Sequence, residues 1–264
     1  MPDFIDIGAN LAHDSFDEDR EQVLARARAA GVGHIVLTGS SIDSNARAAE
    51  IANDHTGLSY TAGVHPHHAD DYDRRMHETL AQQMAAPGVS AAGECGLDYF
   101  RNFASHENQA AAFRAQLELA CEHQLPVFLH QRDAHDDFVA QLRPFLNDLP
   151  AAVAHCFTAG EAELDTYLEL GLYIGITGWI CDERRGAHLL PLMPRIPDDR
   201  LMIETDAPYL LPRTIRPRPK TRRNEPCWLP EVARVVAAAR QQSVDQLATL
   251  TSANATRFFG LDTA

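Results

Sequence analysis

The chain has 264 residues, with 23 basic and 37 acidic side chains and a formal net charge of −14. A chain of this length buries roughly 70–75% of its unfolded surface, so it can build a core without disulfides or structural metals. Its 45% hydrophobic and 23% charged residues exclude a disordered chain. No apolar run approaches the ~20 residues that span a bilayer, and the acidic balance argues against binding nucleic acid through bulk charge.

Short apolar runs bounded by Gly, Pro or Asp predict eight strands, at Phe4–Gly8, His34–Gly39, Leu58–Val64, Val89–Glu94, Pro126–His130, Ala151–Cys156, Leu172–Thr177 and Arg200–Thr205. Amphipathic segments between them predict helices, most clearly at Phe16–Ala30, Ser105–Gln124, Ala134–Leu146 and Ala162–Leu170. Strands that alternate with helices in this number predict an α/β fold, a single-domain (β/α)8 TIM barrel over residues 1–264. A doubly wound open sheet is the alternative, but no G-x-G-x-x-G follows the first strand.

One segment departs from this alternation. Between Pro208 and Pro230 the chain holds six prolines, too many for a regular element. Residues 213–223 carry six basic side chains and no acidic one, while the rest of the chain has 17 basic and 37 acidic residues. This dense basic cluster is predicted to bind phosphate groups, or alternatively to be a solvated charge run or a subunit contact.

The cysteines indicate the compartment. There are five of them, an odd number without a C-x-x-C pair, at positions 95, 121, 156, 181 and 227. This pattern predicts reduced thiols rather than a disulfide framework. The start of the chain carries acids where a secretory signal would carry basic residues. We therefore expect a cytoplasmic protein with no membrane partner and no obligate protein partner.

Titratable side chains lie at the ends of four predicted strands, namely Glu94, His130, His155 and Asp206. In a parallel barrel the C-terminal ends of all strands meet at one mouth, so these groups should gather there. Imidazoles and carboxylates around one point predict a site for a divalent metal ion. Each residue alone could be structural, as a hydrogen-bonded histidine, a buried carboxylate or a cap. Their joint occurrence favours the metal site.

Other side chains near these strand ends are open to two interpretations. His65 closes the third predicted strand, where it could contact a substrate phosphate or simply form a hydrogen bond in the mouth. Arg132 follows His130 and could support the site or form a salt bridge. Six further histidines in polar surroundings are predicted to lie on the surface, at positions 67, 68, 77, 106, 123 and 188.

Seven ordered motifs run over essentially the whole chain: AGVHPH (62–67), GECGLDYFRNF (93–103), PVFLHQRDAH (126–135), AHCFT (154–158), IGITGWICDERRG (174–186), IETDAPYLLPR (203–213) and RRNEP (222–226). The set resembles the TatD-type metal-dependent deoxyribonucleases, and DIGANL and GWICDERRG favour the branch that gives the family its name. The resemblance implies an amidohydrolase-like barrel, a divalent metal and hydrolysis of phosphodiester bonds. It further implies a 3′-5′ exonuclease that trims ends of single-stranded DNA or RNA, with a role in DNA repair or turnover.

The resemblance also assigns roles to residues. It makes Glu94, His130, His155 and Asp206 the metal ligands, with Glu94 and Asp206 as the catalytic carboxylates. Most of the family begins with D-x-H-x-H-L, but Gly8 and Asn10 stand at those histidine positions here. The first metal site is therefore depleted. A loosely held Mg²⁺ ion fits what remains better than a tight pair of Zn²⁺ ions, with Mn²⁺ or Zn²⁺ as alternatives.

The substrate contacts are predicted from charge and aromatic character. We expect phosphate contacts from His65, Arg132, Arg213, Arg216, Arg218 and Arg222. Three aromatic side chains, Tyr99, Phe100 and Trp179, could stack on bases or serve only for packing.

Two other functions remain open. One is an amidohydrolase acting on a small cyclic amide or lactone, although the chain lacks the opening His-x-His and its only lysine, Lys220, is misplaced for a metal bridge. The other is a non-catalytic nucleic-acid-binding module with a depleted metal site.

Overall fold

A computed structural model describes residues 3–261, and over this range eight strands form one parallel sheet in chain order. They are β1 (Phe4–Ala9), β2 (Val32–Leu37), β3 (Leu58–Ala62), β4 (Val89–Asp98), β5 (Val127–Arg132), β6 (Ala152–Ala154), β7 (Tyr173–Ile176) and β8 (Leu201–Ile203). Each strand pairs with the next one. A bridge between Ala9 and Ala207 brings the first and last strands together. The predicted barrel is confirmed.

Helices connect most of the strands and cover the outside of the sheet. They are α1 (Arg20–Ala29), α2 (Ile42–Asp54), α3 (Arg74–Met84), α4 (His106–His123), α5 (His135–Leu142), α6 (Glu161–Glu169), α7 (Leu229–Arg240) and α8 (Val244–Phe259). The helix predicted over 134–146 ends at Leu142, because Pro144 follows and the chain continues as a 3₁₀ turn. Between β7 and β8 the chain forms 3₁₀ turns rather than an α-helix, and two prolines lie inside the longer one.

The interior of the barrel is apolar beneath its mouth. Strand residues such as Ile7, Val36 and Met202 are fully buried there, and α8 closes this end with Phe258 and Phe259. The ring of Phe128 lies at the top of this layer, with its centroid 4.6 Å from that of His155. The polar groups at the mouth therefore rest on a buried apolar layer, and its low polarity strengthens the electrostatic interactions between them.

Helix α4 fixes the ends of two strands through buried glutamines. Gln109 accepts a hydrogen bond from the backbone N–H of Asp98 at 2.8 Å, at the end of β4. Gln116 accepts from the N–H of Val64 at 2.7 Å and donates to its carbonyl at 3.0 Å, just before His65. An unpaired buried backbone group would be costly, so these bonds hold the strand ends that carry polar side chains.

The proline-rich segment has no helix or strand from 208 to 225, as predicted; a 3₁₀ turn at Pro226–Trp228 then leads into α7. Within residues 3–261, no helix combines the length and the apolar character that crossing a bilayer requires. The five cysteines, all of them in this range, are free thiols.

Candidate active site

The imidazoles of His65, His130 and His155 converge on one oxygen of the Glu94 carboxylate. From Glu94 Oε1 the distances are 2.9 Å to His130 Nδ1, 3.1 Å to His155 Nε2 and 3.4 Å to His65 Nε2. Ligand atoms of His65, Glu94 and His130 all lie within 4.8 Å of one another. The barrel thus brings together three of the predicted metal ligands, and it adds His65 to them.

Burial and charge act in opposite directions on this cluster. Burial alone would raise the pKa of Glu94, but His155, His65 and His130 hold it well below its usual value. Burial lowers the pKa of His65 to about 4, so this ring is neutral at physiological pH. Burial would also lower the pKa of His155, but Glu204 and Glu94 raise it well above its usual value. The carboxylates thus favour positive charge at this point, and a divalent cation would supply that charge in place of the imidazole protons. Imidazole nitrogens with an ionised carboxylate are a donor set that fits such an ion.

The fourth predicted ligand, Asp206, lies on the wall of the same cavity, in a loop that follows β8. Its carboxylate accepts a hydrogen bond from the Asn10 side-chain amide at 3.0 Å, and its backbone N–H donates to the Gly8 carbonyl at 2.8 Å. Burial raises the pKa of Asp206 to about 7, with further upward contributions from Glu94 and Glu204. Asn10, which stands where the sequence resemblance leads us to expect a histidine, therefore holds Asp206 through its side-chain amide.

Glu204 is a site residue that the sequence reasoning missed. Its side chain is fully buried, 2.9 Å from His155 Nδ1, and it accepts a hydrogen bond from the backbone N–H of Cys156 at 2.6 Å. A carboxylate on one ring nitrogen of a histidine orients the other nitrogen, here the Nε2 that faces Glu94. A Cβ at Gly8 would lie 2.5 Å from Glu204 Oε2, so the glycine makes room for this carboxylate. The available signal was an acidic residue directly after an apolar strand.

Asp98 and His67 were also missed. Asp98 is buried, 2.9 Å from His67 Nε2 and 3.3 Å from His130 Nε2. Burial would raise the pKa of Asp98, but His130 and His67 hold it well below its usual value. The prediction that His67 lies on the surface is wrong, because β4 continues beyond Glu94 to Asp98 and carries this carboxylate to the histidine.

An open cavity of about 590 Å³ lies over these groups at the barrel mouth. His65 and Arg132, both predicted to bind substrate, line it. The Arg132 guanidinium lies 4.3 Å from the centroid of the Phe100 ring and 5.5 Å from that of Trp179. Such faces hold a guanidinium in place while leaving its N–H groups able to meet an anion.

The four loop arginines that were predicted to bind substrate lie outside this cavity. Arg213 forms a bidentate pair with Glu183 at 2.9 and 3.1 Å, and Arg216 donates to the carbonyls of Arg213 and Ile215. Three basic residues of the loop extend into solvent beside a second cavity of about 650 Å³, namely Arg218, Lys220 and Arg222. Arg185 and Leu210 line both cavities, so the two are neighbours.

Comparison with known proteins gives consistent results. The family model described as TatD related DNase matches residues 5–260. The 3′-5′ ssDNA/RNA exonuclease TatD of Erwinia amylovora is 52% identical over 257 residues, covering 97% of this chain and 99% of that protein. The protein of the same name from Klebsiella pneumoniae is 50% identical, with coverage of 97% and 98%.

Solved structures agree with this. A TatD family hydrolase from Entamoeba histolytica superposes with a TM-score of 0.89 at 28% identity, covering 97% of this chain and 98% of that one. A TatD homologue from Escherichia coli K12 gives 0.89 at 29% identity, with 98% of each chain covered. A lactonase from Listeria monocytogenes, at 12% identity and a TM-score of 0.63, covers 98% of this chain and 94% of that one and shares the fold alone.

Proposed function

The chain belongs to the TatD-related DNase family, and we propose that it is a metal-dependent 3′-5′ exonuclease acting on ends of single-stranded DNA or RNA. The prediction of a nuclease of this family is confirmed. The observation that supports the proposal most directly is the convergence of three imidazoles on Glu94 beneath an open cavity. We further propose a role in DNA repair or turnover in a reducing cytoplasm, where the five free thiols would persist.

Glu94, His130 and His155 would hold the metal, with His65 beside them as a further donor. A divalent cation there supplies positive charge for the phosphate and makes a nearby water more acidic. Imidazole nitrogens favour Zn²⁺ over Mg²⁺ as a donor set. Mg²⁺, predicted from the depleted first site, would keep water at several of its positions.

The protein's own side chains would accept the proton of the attacking water and bind the scissile phosphate. Asp206, held by Asn10, lies on the cavity wall where it can accept a proton from the attacking water. Arg132, placed between two aromatic faces, would hold non-bridging oxygens of the scissile phosphate and balance the charge that develops on them. His65 would either complete the metal site or donate to the same phosphate.

Phosphates further along the strand would bind at the second cavity. Arg218 and Arg222, together with Lys220, form no ion pair with any residue in the described range, so their charge is available. Arg213 and Arg216 were also predicted to contact substrate. Their guanidinium hydrogen bonds go to Glu183 and to loop carbonyls, so we propose that they shape the loop that presents the other arginines.

To test this proposal, the protein is incubated with end-labelled single-stranded DNA or RNA in the presence of Mg²⁺, Mn²⁺, Zn²⁺ or EDTA, and the length of the products is measured. We expect metal-dependent shortening from the 3′ end, with a 5′ label retained on the shortened products and circular single strands resistant. Glu94→Ala and His155→Ala should abolish cleavage and keep the native circular dichroism spectrum. His106→Ala, an exposed histidine outside the cavity, is the matched control and should cleave normally. Cleavage that persists in EDTA, or that proceeds from the 5′ end, would contradict the proposal.

A further inference from the structure

Exposed aromatic side chains cluster at the mouth of the barrel. Among the residues that the structure describes, four large hydrophobic side chains are exposed: Phe100 (52%), Phe103 (65%), Leu190 (38%) and Tyr209 (52%). The three aromatic ones lie in the loops that follow β4 and β8. A single exposed hydrophobic residue needs no explanation, but several exposed rings around one site indicate a ligand that covers them.

The ring of Phe103 packs against one neighbouring ring and is otherwise exposed to solvent. It stands edge-on to the His67 ring, with centroids 4.7 Å apart and an interplanar angle of 73°. His67 is itself held by Asp98, so Phe103 rests on a fixed support at the edge of the cavity that contains Glu94. Phe100, by contrast, has the Arg132 guanidinium over its ring. The open ring of the β4 loop is therefore Phe103.

Tyr209 occupies the corresponding place on the other side. Its backbone N–H donates to the Asp206 carbonyl at 2.9 Å, so its position is tied to that of Asp206. Its ring stands edge-on to His13, with centroids 6.0 Å apart, and lines the same cavity. In a closed ring of strands in chain order, β4 and β8 face each other across the barrel. Phe103 and Tyr209 therefore flank the Glu94–Asp206 centre from opposite sides.

The three aromatic residues that the sequence suggested for base stacking already contact other side chains of the protein. Tyr99 stacks on His106, with centroids 3.6 Å apart and planes 9° from parallel, and it donates to Asp137. Trp179 has the Arg185 guanidinium 4.4 Å from its ring centroid and that of Arg132 at 5.5 Å. A base that approached either ring would have to displace these contacts.

We propose that Phe103 and Tyr209 form a nucleobase subsite, in which each ring stacks on one of the two bases that flank the scissile phosphate. This inference rests on the proposed exonuclease function, and it requires the substrate to have two unpaired bases next to the scissile phosphate. Every base has a π-face, so the subsite binds without sequence preference. Bases within a duplex are already stacked and paired, so only an unpaired end can place its bases on both rings.

The test pairs protein variants with substrates that lack one base. Phe103→Ala and Tyr209→Ala are each assayed on an oligonucleotide with all its bases and on matched oligonucleotides with an abasic 3′-terminal or penultimate nucleotide. Each variant should lower kcat/KM on the intact oligonucleotide by roughly 5- to 150-fold, the usual range for loss of one stacked base. On the oligonucleotide that lacks the corresponding base, the loss should fall below about 2-fold.

The controls separate stacking from stability and from the reaction. Tyr209→Phe and Phe103→Trp keep the ring and should retain activity, and Leu190→Ala removes an exposed hydrophobic side chain outside the cavity and should change nothing. Equal losses on intact and abasic substrates for both variants would overturn the subsite. If wild-type protein cleaves nothing with any metal, the exonuclease proposal fails. Fluorescence anisotropy with the same oligonucleotides in EDTA then still tests the subsite, because stacking requires no metal.

Discussion

At the scale of single residues, the site depends on Glu204, a carboxylate that is not itself a predicted metal ligand but contacts one. Glu204 lies with one oxygen against His155 Nδ1 and the other against the backbone N–H of Cys156. Two glycines make space for it, because a Cβ at Gly8 or at Gly175 would come within 2.5–2.6 Å of its oxygens. Gly8, which stands where the sequence resemblance leads us to expect a histidine, thus accommodates the carboxylate that orients His155.

Replacing Glu204 by Gln should weaken metal binding while preserving shape. The amide oxygen can still accept from His155 Nδ1, but its NH₂ group then faces the N–H of Cys156, where two donors repel. We expect 10- to 100-fold weaker metal binding, the usual effect of losing a carboxylate that supports a ligand histidine. Calorimetric titration measures it, with Glu225→Gln as the control because that buried carboxylate pairs with Arg26 away from the cavity. Unchanged affinity would show that Glu204 has only a packing role.

Adding a methyl group at Gly8 should disturb the same carboxylate. A Cβ there would lie 2.5 Å from Glu204 Oε2 and 3.0 Å from Phe128 Cζ, both buried and unable to move freely. We expect Gly8→Ala to lower the free energy of unfolding by ~1–3 kcal/mol, the usual cost of overpacking a core. Urea denaturation measures this, and Gly160→Ala is the control because only a flexible glutamate oxygen lies near its Cβ position. Equal stability of the two variants would contradict the prediction.

The sequence located the candidate ligands but not the groups that hold them. Glu94, His130 and His155 were identified because each lies at the end of a strongly apolar strand, and barrel topology brings such ends together. Asp98 and Glu204 could not be assigned this way. Their roles depend on how far β4 extends and on which carboxylate turns inward after β8, which are properties of side-chain packing. Strand periodicity alone does not specify them.

At the scale of elements, the closure of the barrel depends on a buried aspartate. Asp6 on β1 accepts hydrogen bonds from the backbone N–H of Thr205 at 2.9 Å and from its hydroxyl at 2.5 Å, just beyond β8. It is fully buried, and its hydrogen bonds within the described range come from neutral donors of Gly8 and Thr205. Burial raises the pKa of Asp6 to about 7, although the hydrogen bonds from Thr205 and Gly8 act in the other direction.

This raised pKa has a definite effect on stability. Between pH ~4 and pH ~7 the folded state retains a proton that the unfolded state has lost. The Asp6 contribution to the free energy of unfolding therefore falls as pH rises through this window, by about 1.4 kcal/mol per pH unit. Asp6→Asn cannot titrate, so its stability relative to wild type should improve steadily from pH 4.5 to pH 7. Urea denaturation at several pH values measures this, with exposed Asp71→Asn as the control. A difference that is independent of pH would contradict the raised pKa.

The strands were predicted better than the helix boundaries, for a physical reason. Parallel strands are buried on both faces and read as continuous apolar runs, so the eight predicted strands all occur, with shifted ends. Helix ends depend on caps and on prolines. Ser105 and Gln124 were placed within one residue of the ends of α4, where they act as caps. The segment 16–30 was predicted as one helix, but a 3₁₀ turn ends at Phe16 and turn residues follow before α1 begins at Arg20.

At the scale of the whole molecule, the net charge of −14 is unevenly distributed, because residues 213–223 are basic while the rest of the chain is acidic. Nucleic acid is therefore not repelled equally everywhere. Two of the loop's six basic side chains pair with acids, Arg213 with Glu183 and Arg223 with Asp19. Arg218, Lys220 and Arg222 remain beside the second cavity, next to the mouth. An acidic chain with one small basic region should repel a duplex along its length, and the proposed single strand would place only a few phosphates on that region.

The salt dependence of binding should therefore be shallow and should belong mainly to these three residues. Three phosphates neutralised on a single strand contribute about −2 to the slope in a plot of log K against log salt concentration. Replacing Arg218, Lys220 and Arg222 by Gln together should weaken single-strand binding and remove this contribution, so that only the smaller contribution of Arg132 remains. The control replaces Arg28, Arg114 and Arg143, three exposed arginines on or beside outer helices, and changes the net charge equally. Anisotropy titrations in EDTA measure both slopes. If the two triple variants lose the same slope, binding follows the overall charge, and the second cavity does not bind phosphate.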